Sequence, residues 1–115
     1  MEKFKELKVW QKSHNLVIEA YQITKNFPKE EIYCLVNQMR RAAISIPANI
    51  AEGSKRKTSK DRGHFIIIAV TSLEELKYYF LLAADLKYIS SKKSDELLEQ
   101  SRKIGRMLTG FYNSL

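Results

Sequence analysis

Four segments of the sequence repeat their apolar residues at intervals of three and four, which is the spacing of one face of an α-helix. The first segment ends at Phe27-Pro28, because a residue that precedes proline is driven away from helical geometry. The second ends before Gly53, a residue type that commonly follows a helix. Short connections between the segments predict an all-α fold, an antiparallel up-down-up-down four-helix bundle, with a single domain over residues 1–115. The predicted helices cover residues 7–26, 30–52, 58–88 and 91–115.

Three local signals refine these helices. Thr58 followed by Asp61 resembles a capping box, with aspartate in place of the usual glutamate. We expect the fourth helix to begin near Ser91, with Ser94 as an alternative cap. Pro47 lies inside the second segment, where it removes one backbone donor and is expected to kink the helix.

Each predicted helix has a core stripe. The stripe of the first helix is Leu7, Trp10, His14, Val17, Tyr21 and Thr24, widened by Val9, Leu16, Ala20, Ile23 and Phe27. The stripe of the second is Ile32, Leu35, Val36, Met39, Ala43, Ile46 and Ile50. The third has Phe65, Ala69, Ser72, Leu76, Phe80 and Ala83, and the fourth has Leu97, Ser101, Ile104, Leu108, Phe111 and Leu115.

The second helix also carries a polar stripe, about 130° around the helix from its core stripe. The polar stripe consists of Cys34, Gln38, Arg41, Ser45, Asn49 and Glu52. Fourteen of the basic residues of the chain are lysines, yet none lies within residues 30–52. Subunit interfaces are depleted in lysine and enriched in arginine, so this composition predicts an interface. A solvated polar face is the alternative interpretation.

The third helix is apolar nearly all round. Beyond its core stripe it carries Ile66, Ile67, Ile68, Val70, Leu73, Tyr78, Tyr79, Leu81 and Leu82. A small four-helix bundle leaves one side of each helix exposed, whereas a helix of this kind needs burial on more than one side. We therefore expect a homo-oligomer in which the second and third helices face neighbouring subunits. The alternative is a monomer with an exposed apolar patch.

Charge is the next feature, because 20 Lys and Arg residues outnumber 13 Asp and Glu residues and give a net charge of +7. A surplus of this size in a small domain indicates a polyanionic partner. The stretch 54–64, between the second and third helices, has a net charge of +4, and we call it the basic connection. Its basic residues, predicted to contact phosphates, are Lys55, Arg56, Lys57, Lys60 and Arg62. A solvated loop is the alternative.

A second predicted phosphate-binding patch lies on the fourth helix and consists of Arg102, Lys103 and Arg106. No aromatic residue interrupts the basic residues of the connection, so the sequence predicts no base-stacking platform there.

Motifs for catalysis, metals and membranes are missing. The only cysteine is Cys34, so a disulfide within the chain is impossible, and neither His14 nor His64 belongs to a metal-binding or catalytic motif. We expect a non-enzymatic protein with no metal and no cofactor. The charged N-terminal sequence contains no apolar signal segment, and Glu74 and Glu75 interrupt the most apolar stretch. We therefore expect a cytoplasmic protein with no membrane partner.

The stretch 38–53, QMRRAAISIPANIAEG, closely resembles the signature of the four helix bundle protein family, which is also called the 23S ribosomal RNA intervening-sequence protein family. The stretches 7–12, 27–33 and 69–76 match its opening, its first turn and its third helix, so the resemblance covers nearly the whole chain. One departure is local, since the residues that follow Gly53 are more basic than the motif requires.

The resemblance implies a bacterial four-helix bundle that assembles as a ring-like homopentamer. It also implies kinship with the accessory variability determinant of diversity-generating retroelements, which has a basic surface and works with a reverse transcriptase and nucleic acid. With the resemblance in hand, we expect Arg41, Asn49 and Glu52 to meet Ser72 and Glu75 on the third helix, within the subunit or across its interface.

The function expected from the sequence is that of a basic, oligomeric helical-bundle protein that binds nucleic acid by charge, with RNA favoured over DNA. The alternative is a scaffolding homo-oligomer with a protein partner, such as a reverse transcriptase, and no direct role in nucleic-acid binding.

Overall fold

The computed structural model describes residues 3–115 as a bundle of four α-helices that measures 43 × 24 × 23 Å. A 3₁₀ turn, Lys3–Glu6, precedes the first helix, and no strand occurs within the described residues. The predicted all-α class is therefore confirmed. The helices are α1 (Lys8–Thr24), α2 (Asn37–Ser54), α3 (Ser59–Asp85) and α4 (Ser91–Asn113).

Consecutive helices contact each other in antiparallel fashion, as an up-down-up-down arrangement requires. The end of α1 lies beside the start of α2, where Arg40 Nε donates to Thr24 Oγ1 at 2.9 Å. The end of α2 lies beside the start of α3, where Gly53 faces Phe65. The last turn of α4 in turn packs on the first turns of α3. The bundle therefore places side by side residues that are far apart in the chain.

The core stripe predicted for the second helix is confirmed except at its first residue, because Ile32 is 48% exposed. A π-helical turn, Ile32–Val36, precedes α2 and follows a 3₁₀ turn, Lys29–Glu31. The predicted continuous helix from residue 30 is therefore wrong at its start. A π turn holds more residues than an α turn, so it rotates the residues before it relative to the core. The rotation accounts for the exposure of Ile32.

The first helix shows a rotated core face. Its buried residues are Val9, Ser13, Leu16, Ala20 and Thr24. His14, predicted to face the core, is exposed and stacks on the Trp10 ring at 5.2 Å. The sequence misled here because the buried face includes the polar residue Ser13, whereas Thr24 was predicted. The hydroxyls of Ser13 and Thr24 donate to backbone carbonyls one turn earlier, both at 2.7 Å, and can therefore be buried at little cost.

The ends of α3 and α4 follow side-chain caps and backbone geometry. Thr58 Oγ1 accepts from the Asp61 N–H at 3.1 Å, which confirms the predicted cap. Ser90 Oγ accepts from the backbone N–H of residue 93 at 3.0 Å, so α4 begins at Ser91 as predicted. The alternative cap, Ser94, is buried within the helix. Lys87 adopts a left-handed φ of 63°, which ends α3 before residue 88.

Gly53 lies inside α2 and not beyond it, contrary to the prediction from the sequence. The helix continues through Pro47 and Gly53 to Ser54, and no glycine in residues 3–115 has a positive φ. A Cβ atom on Gly53 would lie only 3.1 Å from Phe65 Cβ and 3.4 Å from the backbone oxygen of Arg62. α3 therefore approaches α2 so closely that a side chain at this position would have to displace Phe65 by a few tenths of an ångström.

Replacing Gly53 with alanine is expected to lower the free energy of unfolding by about 1 kcal/mol, because the new methyl group must separate two packed helices. Gly110→Ala is the matched control, since no atom lies within 4 Å of its added Cβ. Alanine there should raise stability by about 0.5 kcal/mol through helix propensity. Urea denaturation followed by circular dichroism measures both changes, and equal effects of the two substitutions would contradict the close approach.

A second prediction concerns the hydrogen bond from the Tyr88 hydroxyl to Glu31 Oε2, which is 2.8 Å long. This hydrogen bond and burial raise the pKa of Tyr88 above 10.0, its ordinary value. Because the folded state favours the neutral hydroxyl, the contribution to stability is complete below that value and is lost as the pH rises through the raised pKa. Tyr88→Phe should therefore be less stable than the wild type at about pH 7, and the difference should shrink at about pH 11.

Denaturation midpoints of the two proteins across this pH range test the prediction. The control is Tyr33→Phe, because the Tyr33 side chain is 90% exposed and its hydroxyl makes no hydrogen bond within residues 3–115. A difference between wild type and Tyr88→Phe that stays constant with pH would contradict the role of the hydroxyl.

Candidate nucleic-acid interface

The fold concentrates the net charge of the protein in one half of its length. Residues 3–15, 46–70 and 103–115 lie toward the end of the bundle that holds the basic connection, and we call them the basic half. They contain eleven basic and three acidic side chains, whereas residues 16–45 and 71–102 contain nine of each. The charge surplus seen in the sequence therefore becomes a polarity along the bundle axis.

Two arginines of the basic connection hold its shape. Arg56 forms a salt bridge with Glu52 one turn earlier, and its guanidinium lies 4.8 Å from the centre of the Phe65 ring. Arg62 Nε donates to the backbone oxygen of Arg56 at 2.8 Å. These contacts close the short turn between α2 and α3. Part of the hydrogen-bonding capacity of both side chains is therefore already used within the protein.

The lysines of the connection are more accessible than the arginines. Lys55, Lys57 and Lys60 are all exposed. Lys57 and Lys60 form no salt bridge or hydrogen bond through their ammonium groups within residues 3–115. Among the residues predicted to contact phosphate, these two have the most available charge.

The second predicted patch is partly neutralised. Arg102 Nη1 lies 3.2 Å from Glu99 Oε2, and Arg106 Nη2 lies 3.7 Å from Glu99 Oε1. Lys103 lies beside them and lines a groove of about 480 Å³ between α1 and α4, with Lys12 on the opposite wall. Because exposed pairs of this kind are weak, Glu99 lowers the local positive charge without removing it.

Three further lysines belong to this surface and were missed in the sequence. Lys3, Lys5 and Lys8 lie at the start of the chain, which the fold brings to the basic end of the bundle. Lys3 and Arg62 line the same pocket of about 220 Å³, and Gln11 Nε2 donates to the backbone oxygen of Lys5 at 2.8 Å. The lysine-rich N-terminal sequence was a usable signal, because antiparallel helices place the start of the first beside the end of the second.

An aromatic residue also reaches the basic connection from the other end of the chain. Tyr112, on the last turn of α4, packs beside Gly63 on the first turns of α3. No aromatic residue lies within the basic connection itself, as the sequence shows, but the fold brings this one beside it. A groove of about 450 Å³ at this place is lined by Ser59, Lys60, Gly63, His64, Ile67, Tyr112 and Leu115.

The polar stripe of the second helix divides into two parts. Ser45, Asn49 and Ser72 form a hydrogen-bonded cluster between α2 and α3. Ser72 Oγ donates to Ser45 Oγ at 2.8 Å, and Asn49 Nδ2 donates to the Ser45 backbone oxygen at 2.7 Å and to its Oγ at 3.0 Å. The structure thus brings together three residues of the predicted network. Within the subunit, these three side chains fix how α2 and α3 meet.

The remaining members of the network do not meet within the subunit. Gln38 and Arg41 are exposed, and Arg41 forms no salt bridge or hydrogen bond within residues 3–115. Glu52 pairs with Arg56, one turn further along the chain, and Glu75 lies beside Tyr79. Burial and the neighbouring Glu75 raise the pKa of the Tyr79 hydroxyl. A contact of Arg41 with Glu75 across a subunit interface stays a prediction.

The outer face of α3 exposes large apolar side chains, as its composition indicated. Ile67, Tyr78 and Leu81 are 51%, 58% and 49% exposed in the single subunit. None of the helices in residues 3–115 is long and apolar enough to cross a membrane. In the same part of the chain, no group of three or more His, Cys, Asp or Glu side chains is placed to hold a metal ion.

Comparisons with known proteins agree on the fold and leave the activity open. The model of a family described as 23S rRNA-intervening sequence protein matches residues 5–110. No curated protein matches the sequence. A solved structure from Bacteroides thetaiotaomicron, described as a protein with unknown function from the S23 ribosomal protein family, is 22% identical with a TM-score of 0.81. The alignment covers 90% of this chain and 97% of that one, and at this identity it shows the fold alone.

Proposed function

Because the chain belongs to the 23S rRNA-intervening sequence protein family, for which no activity is established, we propose a function from the geometry of the basic half. The protein is a non-enzymatic, cytoplasmic homo-oligomer that binds nucleic acid through charge. The ribosomal RNA named in the description of the family favours RNA over DNA.

The observation that carries this proposal is the concentration of eleven basic against three acidic side chains in one half of the bundle. The bundle is only 24 × 23 Å across, so one polyanion that spans its end can contact several of these basic side chains at once. Each phosphate contact releases condensed counterions, and the contributions of the contacts add.

Different side chains of this surface make different contributions to the binding of nucleic acid. Lys57 and Lys60 supply unpaired ammonium groups for phosphates, and Lys3 and Lys5 extend the positive surface across the end of the bundle. The Thr58 hydroxyl oxygen accepts the Asp61 N–H, so its proton remains available to donate to a phosphate oxygen. The patch on α4 adds positive charge along the side.

Assembly is the second part of the proposal. The polar stripe of α2 leaves Arg41 without a partner within residues 3–115, and the outer face of α3 leaves Tyr78 and Leu81 exposed. A subunit interface over these faces would supply both with partners. In a homopentamer, the arrangement expected from the family resemblance, five basic surfaces would act on one polyanion with a gain in avidity.

A filter-binding salt titration with a labelled RNA tests the first part. We expect binding to weaken steeply between about 50 and 200 mM salt, because phosphate contacts release counterions. Replacing Lys57 and Lys60 together with glutamine should lower the slope of log affinity against log salt by about 1.4 for a single strand, or about 0.7 for each lost contact. The matched control replaces Lys87 and Lys92, which are exposed in the other half of the bundle.

Absence of RNA and DNA binding even at low salt would reject the proposal. The surviving interpretation would then be the scaffolding homo-oligomer with a protein partner.

Light scattering tests the second part, since an oligomer has a multiple of the subunit mass of 13.4 kDa. Arg41→Ala should shift the equilibrium toward smaller species and lower the melting temperature, because it removes a charged group from the proposed interface. The control is Arg102→Ala, an exposed arginine on α4 that lies outside the polar stripe. An unchanged mass and an unchanged melting temperature for Arg41→Ala would contradict its role in the interface.

A further inference from the structure

The groove between Tyr112 and the basic connection contains an aromatic ring, which phosphate binding alone would not require. The Tyr112 ring lies against the first turns of α3 because residue 63 is glycine. A Cβ atom on Gly63 would come within 3.0 Å of Tyr112 Cε2 and 3.6 Å of its Cδ2. Gly63 therefore leaves room for one edge of the Tyr112 ring beside the basic connection.

The ring is also accessible. Tyr112 is 43% exposed, whereas its neighbour Phe111 packs against the core. The core of the bundle therefore does not require an aromatic residue at position 112. A partly exposed aromatic ring beside unpaired positive charge is the combination with which proteins bind the bases and the phosphates of one strand at the same time.

The remaining walls of the groove fit the same ligand. Lys60 supplies an ammonium group with no partner in residues 3–115, and Ile67 and Leu115 supply apolar surface. His64 adds a second exposed ring on the α3 side. The volume, about 450 Å³, lies within the range of about 300–1,000 Å³ that is usual for small-molecule sites. The size of the groove is therefore compatible with a base.

We infer that this groove stacks an unpaired base of a single-stranded nucleic acid on the Tyr112 ring, while Lys60 holds a neighbouring phosphate. The inference rests on the proposed function and narrows its ligand to single strands. In a duplex the faces of the bases are already stacked on each other, so a duplex can use the charge of the basic half but not the ring.

Fluorescence anisotropy with three labelled probes of about 12 nucleotides tests the inference on the unmodified protein. The probes are a single-stranded RNA, an abasic strand with the same number of phosphates, and an RNA duplex. Charge alone would bind the first two equally. We expect the base-containing single strand to bind about tenfold more tightly than the abasic strand, which corresponds to one base stacked on an aromatic ring.

Variants of the tyrosines assign the difference to the groove. Tyr112→Leu should lose the preference for the base-containing strand and keep its affinity for the abasic strand, because the lysines are untouched. Tyr112→Phe should retain the preference, since it keeps the ring. Tyr33→Leu makes the same change at a tyrosine that is 90% exposed in the other half of the bundle, and it should behave as the wild type.

The binding measurements distinguish a failure of this inference from a failure of the proposed function. Equal affinity of the wild type for the base-containing and abasic strands would overturn stacking on Tyr112 and leave charge-driven binding intact. An unchanged preference of Tyr112→Leu for the base-containing strand would also overturn stacking on Tyr112 and leave charge-driven binding intact. Absence of binding to all three probes at low salt would overturn both. The comparison of the two strands needs no variant, so it stands even if a substitution at Tyr112 prevents folding.

Discussion

The close packing of α2 on α3 is the contact on which the rest of the structure depends. Gly53 lets the two helices approach until Phe65 stands where a side chain would be, and Ser45 and Ser72 meet through a 2.8 Å hydrogen bond halfway along. Together the two contacts fix the register of α2 against α3. A slip of one turn would drive Phe65 against a residue with a side chain and leave the largely buried Ser72 hydroxyl without its partner, which is costly.

This register determines where the charge of the protein lies. Because α3 starts beside the end of α2, the basic connection is short, and Arg56 and Arg62 can close it through Glu52 and a backbone oxygen. Like charges gathered at one end repel each other and oppose folding. The internal pairs of the two arginines offset part of that repulsion, while the lysines remain turned to solvent. The structure thus accepts a concentrated positive surface, which is the basis of the proposed binding to a polyanion.

The polar stripe of α2 contains residues that form hydrogen bonds within the subunit and residues that remain in solvent. Ser45 and Asn49 are small enough to pack between α2 and α3, where their hydrogen bonds are made within the subunit. Arg41 is long and remains in solvent. A sequence stripe shows only that these residues share a side of one helix. Which residues each side chain contacts depends on its length and on the distance between the helices. The periodicity of one helix carries no information about that distance.

Residue type and spacing predicted the four helices, most of their core residues, the caps at Thr58 and the start of α4, and the basic connection. These features depend on residues within about one or two turns of each other, so the sequence encodes them locally. The packing of the helices, in contrast, places Tyr112 beside Gly63 and Lys3 near Arg62, and makes Gly53 a point of close approach and not a helix terminator. Those outcomes depend on helix register and on the separation of helix axes. Both depend on contacts between residues that lie far apart in the chain. The spacing of residues within one helix carries no information about such contacts.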